Sequence, residues 1–115
     1  MRIELGHKQN SRIMILDIVE SIDGVPIRLT DERWEHILEQ HPFISGYYQR
    51  ILSTIENPTF VLRGHHRSKI AVNNYGRKRW LHVLYREISR TDGFVISAYI
   101  KTDYDENLVI WQSNN

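Results

Sequence analysis

The segment RGHHRSKIAVNNYGRKRWLHVLYREISR, residues 63–90, combines a dense set of basic side chains with the alternating pattern of β-strands. It contains eight Lys and Arg residues and a single acidic residue, Glu87, whereas the whole 115-residue chain has a formal net charge of +1. Three histidines and three aromatic residues lie among them. A basic block within strands, rather than in a tail, indicates a folded surface that meets phosphate. The alternative is a solvated pair of hairpin arms.

The sequence around this block predicts an antiparallel sheet. From Thr59 onward the hydrophobic period is two, which is typical of strands, and the connections between the periodic runs are short. We therefore expect consecutive strands to be antiparallel neighbours. The predicted strands are Thr59–Arg63, Lys69–Asn73, Arg79–Glu87, Phe94–Lys101 and Leu108–Gln112.

A β-hairpin is predicted near the N-terminus. Asp23-Gly24 lies between two apolar runs, Arg12 to Ile22 and Val25 to Leu29, and this pair is a strong hairpin signal. Pro26 favours an edge position for the second arm, because proline has no backbone N–H. Residues 1–11 are polar and are expected to form a loose arm or a short edge strand.

Two helices are predicted between the hairpin and the sheet. Thr30 is a candidate N-cap, and Pro42 ends the first helix because it biases the preceding residue away from helical dihedrals. The apolar face of this helix comprises Trp34, Ile37, Leu38 and His41. The second helix is predicted over about Ser45 to Glu56, with Tyr48, Ile51, Leu52 and Ile55 as its buried stripe.

These elements define one domain over residues 1–115. It consists of an N-terminal arm and hairpin (1–29), a helical pair (30–57) and an antiparallel sheet (58–115). The predicted fold class is α+β, with two helices packed on one face of a roughly five-stranded antiparallel sheet.

Composition excludes several classes of function. The chain has no cysteine, which excludes disulfides, a thiolate zinc site and a cysteine nucleophile. No apolar run reaches the length of a membrane span and no signal peptide is evident, so a cytoplasmic protein is expected. His65 and His66 lack a nearby Asp or Glu that would complete a metal site. We expect neither a metal nor a cofactor, because the phosphate-binding glycine loop and zinc-protease motifs are also absent.

Strand alternation predicts which side chains share the face of the sheet away from the helices. On the long basic strand, Leu81, Val83 and Tyr85 suit the core, and the intervening residues face away. On the two adjacent strands, the core sets are predicted to be Ile70 and Val72, and Phe94, Ile96, Ala98 and Ile100. The side chains that then converge on the uncovered face are Lys69, His82, Arg86, Ser97, Tyr99 and Lys101, unless a β-bulge reverses part of this pattern.

This set of side chains is suited to RNA cleavage without a metal. Such cleavage needs a base for the ribose 2′-hydroxyl, an acid for the departing 5′-oxygen and fixed cations for the phosphate. Either His41 or His82 is a candidate for proton transfer. Candidates for phosphate stabilisation are Lys69 and Arg86, and Tyr99 is a candidate for positioning or stacking. Further RNA contacts are expected from Arg67, Arg77, Lys78, Arg79, Trp80, Ser97 and Lys101.

Each candidate also has a purely structural interpretation. His82 fits a half-buried polar position on a strand, and Arg86 fits a partner of a carboxylate. Lys69 and Lys101 fit charges that protect strand edges from aggregation. His41 fits a capped core histidine at the end of the first helix, although a histidine at that place also reaches the rim of a site beside the sheet.

The order of these segments resembles the barnase–EndoU–colicin–RelE-like small nucleases, especially the phage- and toxin–antitoxin-associated members. The similarity covers about residues 30–101. It is carried by WEHILEQHP (34–42), TIENP (54–58), Lys69, LHVLYR (81–86) and VISAY (95–99). The resemblance implies a metal-independent endoribonuclease, a hydrolase that is often a toxin held by an antitoxin protein. It implies functional roles for His41, for Lys69 and Arg86, and for Ser97 or Tyr99.

Two other functions remain open from the sequence. A non-catalytic module of the same fold would bind RNA or a protein partner through the basic face. DNA binding through a recognition helix is less favoured, because the predicted helices are the acidic elements of the chain.

Overall fold

The computed structural model describes residues 12–114, which form seven β-strands in one sheet and two α-helices. The strands are β1 (Ile15–Glu20), β2 (Pro26–Thr30), β3 (Phe60–Arg63), β4 (Lys69–Asn74), β5 (Trp80–Ser89), β6 (Asp92–Lys101) and β7 (Val109–Gln112). The helices are α1 (Asp31–Gln40) and α2 (Tyr48–Glu56), with 3₁₀ segments at Pro42–Tyr47 and Glu106–Leu108. The expectation for residues 1–11 lies outside the described residues.

The predicted hairpin is confirmed, but the predicted edge position of its second arm is wrong. β1 and β2 are antiparallel, and Gly24 takes a φ of 77° in the turn between them. β2 is an internal strand, because its Ile27 and Arg28 pair in parallel with Gly93 and Phe94 of β6. This pairing begins after Pro26, so the missing N–H of the proline disrupts no ladder.

Both predicted helices are present. Thr30 Oγ1 accepts a hydrogen bond from the backbone N–H of Arg33 at 3.2 Å, which confirms the N-cap. α1 ends before Pro42, and Ile37 is fully buried on its inner face. α2 begins at Tyr48, later than predicted, because residues 42–47 form a 3₁₀ helix first.

The sheet is larger than predicted and is mixed. Its strand order is β1-β2-β6-β5-β4-β3-β7, and β3 to β6 are consecutive antiparallel neighbours as predicted. The α+β class is confirmed. The expectation of about five antiparallel strands is only roughly consistent with this sheet. β3 to β7 do form antiparallel pairs, but the hairpin joins the sheet through a parallel pair, and β7 pairs with β3 at the far edge instead of with β6.

The two helices cover one face of this sheet, and we call the other face the open face. Leu81, Val83 and Tyr85 of β5 are completely buried in the core on the helix side, as predicted. The prediction for β4 is wrong, because the pairing of Ala71 with Val83 places Ala71 on the helix side and turns Ile70 and Val72 to the open face.

A bulge changes the predicted orientation of β6. Ala98 and Ile100 face the helices, as expected, opposite Val83 and Leu81. The pairing with β5 then skips one residue, so Val95 enters the core and Phe94 turns to the open face. The expectation that Phe94 belongs to the core is therefore wrong.

None of the helices within residues 12–114 has the length and apolar character needed to cross a membrane.

Candidate functional site

A cavity of about 320 Å³ opens on the open face. β3, β4, β5 and β6 supply its floor, and the connection between β6 and β7 supplies one wall. Its lining residues are Leu62, Arg63, Gly64, His65, Ile70, His82, Tyr99, Lys101, Asp105 and Leu108. Three of the predicted functional residues, His82, Tyr99 and Lys101, therefore meet here.

His82 is held in one tautomer at the floor of this cavity. Its ring Nδ1 lies 2.9 Å from the carbonyl oxygen of Trp80. A carbonyl oxygen only accepts, so Nδ1 carries the proton and Nε2 keeps its lone pair. The side chain is 3% exposed, and burial lowers the pKa of His82, with the positive charge of Lys101 acting in the same direction. The imidazole is thus a neutral base, and its Nε2 forms no hydrogen bond with a described residue.

Tyr99 packs against His82 from the adjacent strand. The two residues are cross-strand partners, and their rings stack with centroids 5.3 Å apart and an interplanar angle of 20°. Burial raises the pKa of Tyr99, so the phenol stays protonated at neutral pH and is available as a hydrogen-bond donor.

His41 reaches the same ring from the end of α1. Its imidazole centroid lies 5.9 Å from that of Tyr99. β2 pairs only with the beginning of β6. α1 starts directly after β2 and contacts β6 further along that strand, and this brings His41 to Tyr99. His41 is partly buried and does not itself line the cavity, but lies beside it against Tyr99.

Cationic groups border the cavity. Lys101 lies opposite Trp80 on the adjacent strand, and His65 lines the cavity from the connection after β3. Arg63 also contributes to the lining, but it pairs with Lys69 and its side chain therefore starts on the helix side. Asp105 is the one carboxylate among the lining residues. Cations held near a neutral base favour a bound phosphate, since each positive charge attracts its oxygens in a partly desolvated space.

Arg86 and Ser97 lie on the open face, as predicted, but outside this cavity. Ser97 pairs with Leu84, and Arg86 pairs with Phe94 beyond the bulge. Arg86 is four residues from His82 on the same strand, which corresponds to roughly 13 Å. It is half-exposed and forms no salt bridge with a described residue.

The prediction that Lys69 joins this group is wrong. Lys69 pairs with Tyr85, which is buried on the helix side, so Lys69 and Tyr99 lie on opposite faces of the sheet. Its Nζ donates hydrogen bonds to Asp23 Oδ2 and Glu87 Oε1, both at 2.6 Å. The alternation failed here because Ile70, Ala71 and Val72 are all apolar, so either face of β4 suits the core.

The basic block of residues 63–90 does not form one continuous patch. Arg67 lies in the hairpin connection between β3 and β4. The exposed side chains Arg77, Lys78 and Arg79 lie in the connection between β4 and β5, at the opposite end of β4. The two groups of cations therefore flank the open face from two ends.

The cavity that contains the histidines is not the largest one. A cavity of about 710 Å³ lies near the end of α2 and β7, and Glu56, Asn57, Pro58 and Trp111 contribute to its lining. None of the predicted catalytic residues lines it. Within residues 12–114, no three His, Asp or Glu side chains are grouped as a metal site would require.

Several residues of the site were not predicted from the sequence. Arg63 and His65 line the cavity from the end of β3 and the connection that follows it, and local periodicity does not identify such a position. Tyr104 and Asp105 belong to the connection that crosses the sheet toward β7. The signal in the sequence that could have linked this connection to the site was Tyr104, an aromatic residue among polar ones.

Comparisons with protein-family models, with curated proteins and with solved structures find no match for this chain. The nuclease resemblance therefore stays a prediction, and the functional argument rests on the geometry of the site.

Proposed function

We propose that this protein is a metal-independent endoribonuclease whose active site is the cavity on the open face. The observation that carries the proposal is the imidazole of His82: its Nδ1 faces the carbonyl oxygen of Trp80, its Nε2 forms no hydrogen bond with a described residue, its ring stacks on Tyr99, and Lys101 lines the same cavity. A buried neutral histidine with a fixed tautomer is suited to general-base catalysis. The sequence resemblance to small nucleases points to the same reaction.

In the proposed reaction, His82 Nε2 accepts the proton of a ribose 2′-hydroxyl. The 2′-oxygen attacks the adjacent phosphorus, the bond from phosphorus to the 5′-oxygen breaks, and His41 donates a proton to the departing oxygen. The products are a 2′,3′-cyclic phosphate and a 5′-hydroxyl end. Lys101 neutralises the charge on the phosphate oxygens, and the Tyr99 hydroxyl donates to one of them.

This assignment changes two of the roles expected from the sequence. Lys69 has no role in the chemistry, because it lies on the other face. Arg86 contacts the RNA strand away from the reacting phosphate. A toxin held inactive by a protein partner remains part of the proposal, since an enzyme that cleaves RNA in its own cell requires control.

The test uses purified protein with single-stranded RNA in the presence of EDTA. We expect cleavage by the wild type, and at least a 100-fold loss in His82→Gln and in His41→Ala, since general acid–base catalysis contributes about that factor or more. His36→Ala is the matched control, because His36 is an exposed histidine on the same helix. RNA with a 2′-deoxy nucleotide at the cleavage position should remain intact.

Two outcomes would contradict the proposal. Cleavage that stops in EDTA indicates a metal-dependent reaction. Binding of RNA without cleavage by the wild type indicates a non-catalytic binding module of this fold.

A further inference from the structure

We propose that Phe60, Trp80 and Tyr104 form a subsite that stacks an unpaired nucleobase beside the cavity. The inference rests on the proposed function, since the ligand is the RNA substrate, and it specifies that substrate as single-stranded. Tyr104 and Phe60 come from segments that the sequence analysis did not connect with the site.

The three rings form one cluster although they come from distant parts of the chain. Phe60 is the first residue of β3, Trp80 is the first residue of β5, and Tyr104 lies between β6 and β7. Tyr104 stacks on Phe60 with centroids 4.5 Å apart and an interplanar angle of 26°, and its centroid is 4.7 Å from that of Trp80. All three side chains are half-exposed, so the cluster presents aromatic surface to solvent.

The cluster lies one step along the sheet from the proposed base. Trp80 precedes His82 by two residues on the same face of β5, a distance of roughly 7 Å. The carbonyl group of Trp80 fixes the tautomer of His82, and Lys101 is the cross-strand partner of Trp80. A base held on this cluster would place its own phosphate close to Lys101 and the neighbouring ribose close to His82.

The surrounding charges favour a nucleic acid strand over another aromatic ligand. Arg77, Lys78 and Arg79 directly precede Trp80, are exposed, and form no salt bridge with a described residue. Cations beside aromatic rings are the usual combination for single strands, because the cations follow the phosphates while the rings stack on bases. A duplex would not bind in this way, since its base faces are already covered.

The binding test uses a single-stranded 2′-O-methyl oligonucleotide, which cannot be cleaved, and the duplex of the same sequence. We expect tighter binding of the single strand, and about 10-fold weaker binding by Trp80→Leu and Tyr104→Leu, since stacking contributes about 1–3 kcal/mol per base. Tyr104→Phe keeps the ring and should bind as the wild type does. Trp111→Leu is the matched control, because Trp111 is a partly exposed tryptophan on β7 outside the cluster.

The result separates this inference from the proposed function. Equal affinity in the wild type, Trp80→Leu and Tyr104→Leu would overturn the subsite, whether or not RNA is cleaved. Equal binding of single strand and duplex, absence of binding, or tighter binding by Tyr104→Leu would also overturn it. If the leucine variants bind weakly but the wild type cleaves nothing, the subsite stands and the nuclease proposal fails.

Discussion

His82 and His41 contact the same tyrosine ring, but they lie in different environments. His82 is buried, and the carbonyl of Trp80 holds its proton on Nδ1. His41 is half-exposed at the end of a helix, where water reaches it. A base benefits from burial because burial keeps the imidazole neutral, whereas an acid must regain its proton from solvent.

The pH dependence of cleavage tests the role of His82. Because burial and Lys101 lower the pKa of His82 from its ordinary value of 6.5, the neutral base persists into mildly acidic solution. We expect the acidic limb of the pH–rate profile to lie below 6.5. Lys101→Gln removes a positive charge that opposes protonation, so this limb should move to higher pH, whatever happens to the maximal rate.

The control for this measurement is Lys78→Gln, which removes the same charge at the exposed hairpin tip. It should leave the position of the limb unchanged. The same variant can be titrated by NMR to follow the pKa of His82. If Lys101→Gln raises this pKa but leaves the acidic limb of the pH–rate profile in place, another group is the base.

Tyr85 provides a prediction about stability. Its side chain is completely buried and its hydroxyl forms no hydrogen bond with a described residue. A buried hydroxyl without a partner costs about 1–3 kcal/mol, so Tyr85→Phe should raise the free energy of unfolding by about 1 kcal/mol in urea denaturation. Tyr48→Phe is the opposite case: its hydroxyl donates to Asp17 Oδ2 at 2.6 Å, and its removal should lower stability. A loss of stability in Tyr85→Phe would reveal a partner for the hydroxyl.

At the scale of elements, an ion network joins the N-terminal hairpin to the middle of the sheet. Lys69 of β4 binds both Asp23 of the β1–β2 turn and Glu87 of β5. Ser21 Oγ donates to Glu87 Oε2 at 2.6 Å from the same turn. Burial alone would lower the pKa of Lys69, but the hydrogen bonds that it donates to Asp23 and Glu87 outweigh burial and raise it.

Lys69→Met should therefore affect stability and leave function intact. Glu87 keeps only 14% of its side chain exposed and would lose its cation, which we expect to lower the free energy of unfolding by about 2 kcal/mol, less than for a fully buried pair. RNA affinity and the cleavage rate of the folded fraction should not change. Lys78→Met is the control for stability. A folded Lys69→Met protein that no longer cleaves RNA would contradict the assignment of the site to the open face.

The helices and strands were largely predictable from the sequence. The face that each strand turns toward the helices was predictable for β5 but not for β4 and β6. Thr30, Pro42 and the Asp23-Gly24 pair are local signals, and each predicted a boundary that the structure confirms. The faces of β5 were also predictable, because Leu81, Val83 and Tyr85 alternate with a set that includes the polar residues His82 and Arg86. β4 was not, because three consecutive apolar residues carry no alternation, and the bulge in β6 has no signal in its apolar sequence.

At the scale of the whole molecule, the last part of the chain completes the site. After β6 the connection returns across the open face, and β7 joins the sheet beside β3 at the far edge. Tyr104 and Leu108 thereby reach Phe60 and the cavity wall. This path could not be predicted from the sequence, because a short connection usually leads to an adjacent strand.

The two groups of cations at the ends of the open face support a prediction about the length of RNA that the protein holds. Arg67 and Arg77 are separated by β4, whose six residues span about 20 Å. Sites this far apart act independently, so the losses of affinity in Arg67→Ala and Arg77→Ala should add for an oligonucleotide of ~12 nucleotides.

The salt dependence of binding gives the measurement for this prediction. Each cation that contacts a phosphate of a single strand contributes about 0.7 to the slope of log affinity against log salt concentration. Each single variant should lower that slope by about this amount, and the double variant by about twice as much. A dinucleotide is too short to reach both ends of the open face. With a dinucleotide, the losses of affinity in the two single variants should therefore not add in the double variant. Additivity with the dinucleotide, or no additivity with the longer strand, would show that RNA does not extend along the open face.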